Sequence, residues 1–172
     1  GYVDCIVARL SDHELLVELA KYASIPVVNA LSDLEHPCQI MADLLTIYEH
    51  KDSLDGLSLA YVGDGNNVAR SLCLALPAVG MNFTSASPQG YTLDEASVQQ
   101  ARARANGSSV QVRTVASPAE AVAGADVVYT DVWSNMGVEE SPEEAMARQS
   151  AFDGYAVDPE LMQRANAGAL FM

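Results

Sequence analysis

Short runs of apolar and β-branched residues alternate with longer stretches of helical period along the chain, and this alternation constrains the fold more than any other feature. Residues 3–8, 25–31, 57–62, 81–86, 110–115 and 126–130 read as strands, and residues 169–172 as the start of another. Nearly continuous apolar strands separated by helices indicate an α/β fold: a mostly parallel sheet sandwiched by helices on both faces. A chain of 172 residues predicts one domain or parts of two. The polar, turn-rich segment 51–56 (KDSLDG) is the natural boundary, dividing residues 1–50 from 51–172.

The helices carry their own start and stop signals. Ser11 and Glu14 have capping-box spacing and open a helix expected to run through Tyr22. Pro37 suits a first helical position and predicts a helix to about His50, with Ile40, Met41, Leu44, Leu45 and Tyr48 as its apolar residues. Val68, Leu72, Ala75, Leu76 and Val79 repeat at helical spacing before Gly80, which supplies a stop. A polar helix is expected over 94–106. Ser117-Pro118-Ala119-Glu120 combines an N-cap, proline at N1 and an acid at N3, with Gly124 ending that short helix. A long loop, 131–142, precedes one or two further helices, and the acidic block 138–144 reads as a solvated face and helix start.

Charge and composition exclude several classes. Nine Lys and Arg face 23 Asp and Glu, a net charge of −14, which argues against nucleic acid or an anionic membrane as partner. Residues of hydrophobic type make up 49% of the chain, enough to build a core. No apolar stretch has the length of a membrane span, and the first residues lack the basic region of a signal peptide. Cys5, Cys38 and Cys73 are scattered, as are His13, His36 and His50, so neither a disulfide framework nor a metal site is expected. Reduced thiols in the cytoplasm are the expectation.

Ligands of open parallel sheets bind beyond the carboxyl ends of the strands, so the polar residues after each strand are the candidates. Arg9 ends the first strand, His36 and Gln39 follow the second, Asp64, Asn66 and Asn67 the third, and Asp131 ends the strand before the long loop. In His36-Pro37-Cys38-Gln39 the imidazole and amide sit at a helix start, an environment that favours an anion or a developing oxyanion. The same positions also suit plain capping, with His36 as N-cap and Gln39 closing the box, and Cys38 suits the core better than a nucleophile's role. Gly63-Asp64-Gly65-Asn66-Asn67 lies where a dinucleotide loop would, but Val68 stands in place of the third glycine and no acid follows the next strand. NAD is thereby disfavoured, while Ser85 or Ser87 could suit NADP. Asn67 suits N-capping, or an amide offered to a carboxylate. Trp133 and Met136 in the long loop suit either a lid or a loop anchored by a partly buried Trp. Arg9, one of so few cations, suits a surface salt bridge or a clamp on phosphate or carbonyl oxygen.

The run from Asn29 through His36-Pro37-Cys38-Gln39, then Ala42-Asp43-Leu44, Gly63-Asp64-Gly65-Asn66-Asn67, Thr130-Asp131-Val132-Trp133 and Met136-Gly137 together resemble the aspartate/ornithine carbamoyltransferase family, and within it the ornithine enzymes. Order and spacing agree over essentially the whole chain. The resemblance implies parts of two Rossmann-like domains: the end of a carbamoyl-phosphate domain with its linking helix in 1–50, and an ornithine-binding domain in 51–172, usually assembled as trimers. It implies transfer of the carbamoyl group of carbamoyl phosphate to the δ-amine of L-ornithine, giving citrulline and phosphate, with no cofactor. Arg9, His36, Pro37, Cys38 and Gln39 fall where the family binds carbamoyl phosphate, with Arg9 contacting its phosphate side and carbonyl oxygen, His36 polarising that oxygen and Gln39 holding its amide. Asn67 falls where the ornithine carboxylate is held, Asp131 where its amino group is bound, and Asn135 and Met136 on the loop that closes over it. The chemistry fits: an amine attacks a planar carbonyl, charge grows on oxygen and phosphate leaves, so fixed donors and positioning suffice without a metal.

The family's Ser-x-Arg-Thr loop would precede Gly1 and its His-Cys-Leu-Pro segment would follow Met172, so the resemblance reads this chain as an internal fragment, inactive alone. Asn135 stands where a Ser is usual, which bears on the choice of amine. Two alternatives stay in view: a carbamoyltransferase for another amine such as putrescine, disfavoured by the carboxylate site at Asn67, and a non-catalytic relative that binds or assembles. An NADP-dependent oxidoreductase is a weaker fourth.

Overall fold

A computed structural model describes residues 1–105, 109–133 and 140–172. The order is β1 (Ile6–Arg9), α1 (His13–Tyr22), β2 (Val27–Leu31), α2 (Pro37–Lys51), β3 (Ser58–Val62), α3 (Asn67–Ala75), β4 (Asn82–Ala86), α4 (Glu95–Arg104), β5 (Val112–Val115), α5 (Pro118–Val122), β6 (Val127–Thr130), α6 (Pro142–Ala151), α7 (Pro159–Met162) and β7 (Leu170–Phe171). A two-stranded sheet pairs β1 with β2, and a five-stranded sheet has the order β5-β4-β3-β6-β7. Every pairing is parallel. Strand ends coincide: Val62 lies opposite Ala86 and Thr130, and Arg9 opposite Leu31.

Side chains alternate across β3 and so divide the core in two. Leu59 and Tyr61 join Ile40, Leu44 and Ile47 of α2, Leu72 of α3 and Val98 of α4 on one face. Ala60 and Val62 join Ala121 and Val122 of α5 on the other, with Leu161 and Met162 of α7 packed against them. Helix α2 therefore follows the small sheet in sequence but buries its inner face in the core of the large one.

The first strand is shorter than expected: residues 1–5 are exposed, and pairing begins where Ile6 meets Val27. The cap of α1 is Asp12 rather than Ser11; its carboxylate accepts from Glu14 N at 2.9 Å and Leu15 N at 3.4 Å. Ser11 serves through its backbone, its carbonyl accepting from Asp33 N at 2.9 Å. On α2 the expected apolar face merges two neighbouring stripes. Ile40, Leu44 and Ile47 are buried, whereas Met41, Leu45 and Tyr48 are 67%, 57% and 53% exposed. The helix predicted over 68–79 gives way after Ala75 to a 3₁₀ turn, Leu76–Val79, where Pro77 cannot donate an α-helical hydrogen bond. Gly80, at φ +81°, closes it. Ser117 caps α5 and Ser141 forms a full capping box with Glu144 at α6.

Helix α6 buries none of its residues fully and is tied down by charge. Arg148 reaches Asp64 and Glu140, each at 2.7 Å, with its guanidinium 4.9 Å from the Tyr91 ring centroid.

Between β3 and α3 the chain runs against residues 91–93, and Gly65 N donates to Tyr91 O at 2.7 Å. A Cβ at Gly65 would stand 2.5 Å from the Thr92 carbonyl carbon and the Leu93 nitrogen, both backbone atoms that cannot rotate away. We expect Gly65→Ala to cost about 1–3 kcal/mol through overpacking, read as a lowered urea midpoint at unchanged slope.

Candidate functional site

Because the strands are parallel and end in register, the segments leaving β1, β2, β3 and β6 converge on one rim. They enclose a cavity of about 610 Å³ whose lining includes Arg9, His36, Gln39, Asn67, Tyr129 and Asp131. Arg9 reaches it from the end of β1, just past a slip in register between Ala8 and Arg9. Of the remaining expected residues, Pro37 and Cys38 do not line it, and Asn135 and Met136 lie outside the described residues. Cys38 is exposed rather than part of the core, its thiol donating to Asn29 O at 3.3 Å.

His36 is the N-cap of α2 by position, but its side chain makes no capping bond. Its backbone N–H donates to Ser71 Oγ on α3 at 2.8 Å, fixing the ring's base, and its Nδ1 is buried without a hydrogen-bond partner among the described residues. Gln39 does not close a capping box either: its Nε2 donates to Asp43 Oδ1 at 2.8 Å, one turn further along. Asp43 is 5% exposed, and its other oxygen accepts from Tyr129 OH at 3.0 Å. Burial pushes the Asp43 carboxyl above its ordinary range, against the two hydrogen bonds that favour the ion.

The roles of the paired asparagines are also reassigned. Asn66, not Asn67, caps α3, its Oδ1 accepting from Val68 N and Ala69 N at 3.0 Å each. Its Nδ2 donates to Asp131 Oδ2 at 2.9 Å, while Asp131 Oδ1 accepts from Val132 N at 2.8 Å. Asn67 donates through Nδ2 to Ser32 O at 2.7 Å, which engages one of the two N–H groups of its amide. This bond, with that of His36 to Ser71, stitches the segment after β2 to α3.

Asp64 lines the cavity but is held by Arg148; burial raises its pKa and the guanidinium opposes that rise. Trp133 is half-buried and stacks on Phe152, ring centroids 5.1 Å apart, beside Tyr91 and Tyr155. Ser85 and Ser87, the candidates for an NADP phosphate, are 2% and 3% exposed and so cannot reach one. Among the described residues no group of three or more His, Cys, Asp or Glu stands ready for a metal. None of the described helices is long and apolar enough to cross a membrane.

Three contributors escaped the sequence reading: Tyr129, the part of Asp43 in holding Gln39, and the bond from Asn66 to Asp131. A signal for Asp43 was present, since it stands between Ile40, Leu44 and Ile47 on the core face of α2, where a carboxylate requires partners.

The cavity can hold an anionic group beside Arg9 and a helix N-terminus, a carbonyl oxygen at a neutral imidazole and an amine at Asp131. Burial, and then Arg9, hold the His36 imidazole below its ordinary pKa of 6.5, outweighing the opposite pull of Asp131 and Asp43. The ring is thus neutral at pH 7. An unfolded chain takes up this proton near 6.5, whereas the folded one does so only at lower pH. Stability contributed by the neutral ring is therefore present above pH 6.5 and lost as pH falls through the folded value. Relative to unaltered protein, His36→Gln is expected to flatten this decline, as urea unfolding at stepped pH would measure.

Residues 1–49 match the family described as aspartate/ornithine carbamoyltransferase, carbamoyl-P binding domain, and residues 55–172 match its Asp/Orn binding domain. An ornithine carbamoyltransferase of Anoxybacillus flavithermus is 50% identical over 171 residues, which is 99% of this chain and 54% of that protein. The crystal structure of ornithine carbamoyltransferase from Gloeobacter violaceus superposes with a TM-score of 0.89 at 44% identity, over 99% of this chain and 55% of that one. The Pyrococcus furiosus enzyme gives 0.92 at 43%, over 99% and 53%. The chain thus spans about half the length of the relatives it matches.

Proposed function

Because this chain belongs to the aspartate/ornithine carbamoyltransferase family, we propose that the complete protein transfers the carbamoyl group of carbamoyl phosphate to the δ-amine of L-ornithine, releasing citrulline and phosphate. The observation that carries this reading is the convergence of Arg9, His36, Gln39, Asn67 and Asp131 on one cavity. In this reading residues 1–50 supply the end of a carbamoyl-phosphate domain and its linking helix, and residues 51–172 most of an ornithine-binding domain. The working form is a cytoplasmic homotrimer.

The phosphate binds toward Arg9 and the N-terminus of α2. The carbonyl oxygen faces His36, whose neutral ring donates an N–H to it, while Gln39 meets the carbamoyl amide. On the opposite wall Asn67 offers its second N–H to the ornithine carboxylate, and Asp131 binds the α-ammonium. The δ-amine, once neutral, attacks the carbonyl carbon; negative charge moves to oxygen, where Arg9 and His36 receive it. Collapse of that adduct expels phosphate and the amine's proton is released. Positioning and preset donors carry the rate.

Assay of citrulline formation by the complete protein tests the reading, and a preference for putrescine over ornithine would overturn it. His36→Ala should lower turnover by ~10²-fold or more, as loss of an oxyanion donor does; an unchanged rate refutes its role. Asn67→Ala should mainly raise the KM for ornithine, with some loss of stability because its bond to Ser32 goes too.

A further inference from the structure

A carbamoyl group presents two kinds of atom to its site: a carbonyl oxygen that accepts hydrogen bonds and an NH₂ that donates them. Arg9 is a donor and the neutral His36 ring supplies a donor too, so the NH₂ requires an acceptor from another residue. The Gln39 amide has one at Oε1 and a donor at Nε2, and which of them faces the cavity decides whether the NH₂ is welcomed or repelled.

Asp43 settles that choice. Its carboxylate, 5% exposed, has no proton to give when ionised, and each oxygen already receives one donor: Gln39 Nε2 at 2.8 Å and Tyr129 OH at 3.0 Å. Rotating the Gln39 amide by half a turn would set its oxygen against a buried carboxylate, two acceptors with no proton between them. Tyr129 holds the far side of the carboxylate from β6, two residues before Asp131, and its ring stacks at 6.0 Å on Tyr61. The carboxylate is therefore fixed from both helix and sheet.

We propose that Asp43 is a positioning residue that locks the Gln39 amide with its carbonyl oxygen toward the cavity, and so selects a carbamoyl NH₂ over an isosteric methyl. The inference rests on the functional reading above and deepens it. Asp43 acts through Gln39 without touching substrate itself.

The test compares carbamoyl phosphate with acetyl phosphate, which replaces the NH₂ by CH₃, in the complete protein. Citrulline formation by unaltered protein is scored first; its absence overturns the functional reading. With turnover established, the KM for carbamoyl phosphate is set against the inhibition constant for acetyl phosphate. In Asp43→Asn, whose amide can donate to Gln39 and permit its rotation, the preference for carbamoyl phosphate should fall by about three- to tenfold, the worth of one mispaired neutral hydrogen bond. The KM for ornithine should barely move. A purely structural role would weaken both acyl phosphates alike, and that result overturns the proposal while leaving the function intact. Gln39→Met, which keeps length but removes the amide, guards against a misfolded Asp43→Asn. It should lower the preference to a similar extent, and adding Asp43→Asn to it should lower it no further. A preference retained in Gln39→Met overturns the proposal, as does a further fall in the double variant.

Discussion

Helix α2 serves two neighbourhoods at once, and the cavity exists because of it. Its first turn follows β2 of the small sheet, while Ile40, Leu44 and Ile47 are sunk into the core beneath β3 and β6. Apolar burial of this kind is strong but indifferent to direction. What sets the alignment is a pair of polar stitches, His36 N to Ser71 Oγ and Asn67 Nδ2 to Ser32 O. Together they bring the rim that bears Arg9 against the rim that bears Asp131. Groups 122 positions apart in the chain face the same space as a result.

Within that space the polar side chains are held by partners that leave chosen atoms exposed. Asp43 takes one end of Gln39, Asn66 takes one oxygen of Asp131, and Ser71 takes the backbone of His36 rather than its ring. Each bond orients a group whose remaining donor or acceptor then has a defined direction. Such preset geometry suits a reaction in which charge develops at one oxygen and no covalent intermediate needs a nucleophile from the protein. The aromatic cluster of buried Phe152 with half-buried Tyr91, Tyr155 and Trp133, together with Arg148 bridging Asp64 and Glu140, gives the outer helix α6 an attachment that fully buried residues of its own do not supply.

Much of this was legible in the chain because it is written locally. The strand and helix order follows from periodicity, and Ser117-Pro118 announces its helix through capping chemistry that needs no distant partner. The rule that parallel strands present their ligands at one end brought Arg9, His36, Gln39, Asn67 and Asp131 forward together. The misreadings were near neighbours: Asp12 for Ser11 and Asn66 for Asn67 differ by one place, and one residue along a helix is a rotation of about 100°. Periodicity on α2 could not separate the stripe of Ile40, Leu44 and Ile47 from that of Met41, Leu45 and Tyr48, since only the neighbouring core decides which is covered. Tyr129 and Asp43, 86 positions apart, meet through tertiary packing alone, and no local pattern reports it.

Asn66 carries a consequence for anyone wishing to alter what the cleft admits. One end of its amide caps a helix and the other steers a carboxylate, so backbone architecture and, under the proposed function, ligand choice share a single side chain. The aim of Asp131 is inherited from where α3 begins. Retuning selectivity on that wall is consequently a problem of helix-end engineering: a new residue at 131 would still be approached by the same amide, and a new residue at 66 would shift the fold and the preference in one stroke.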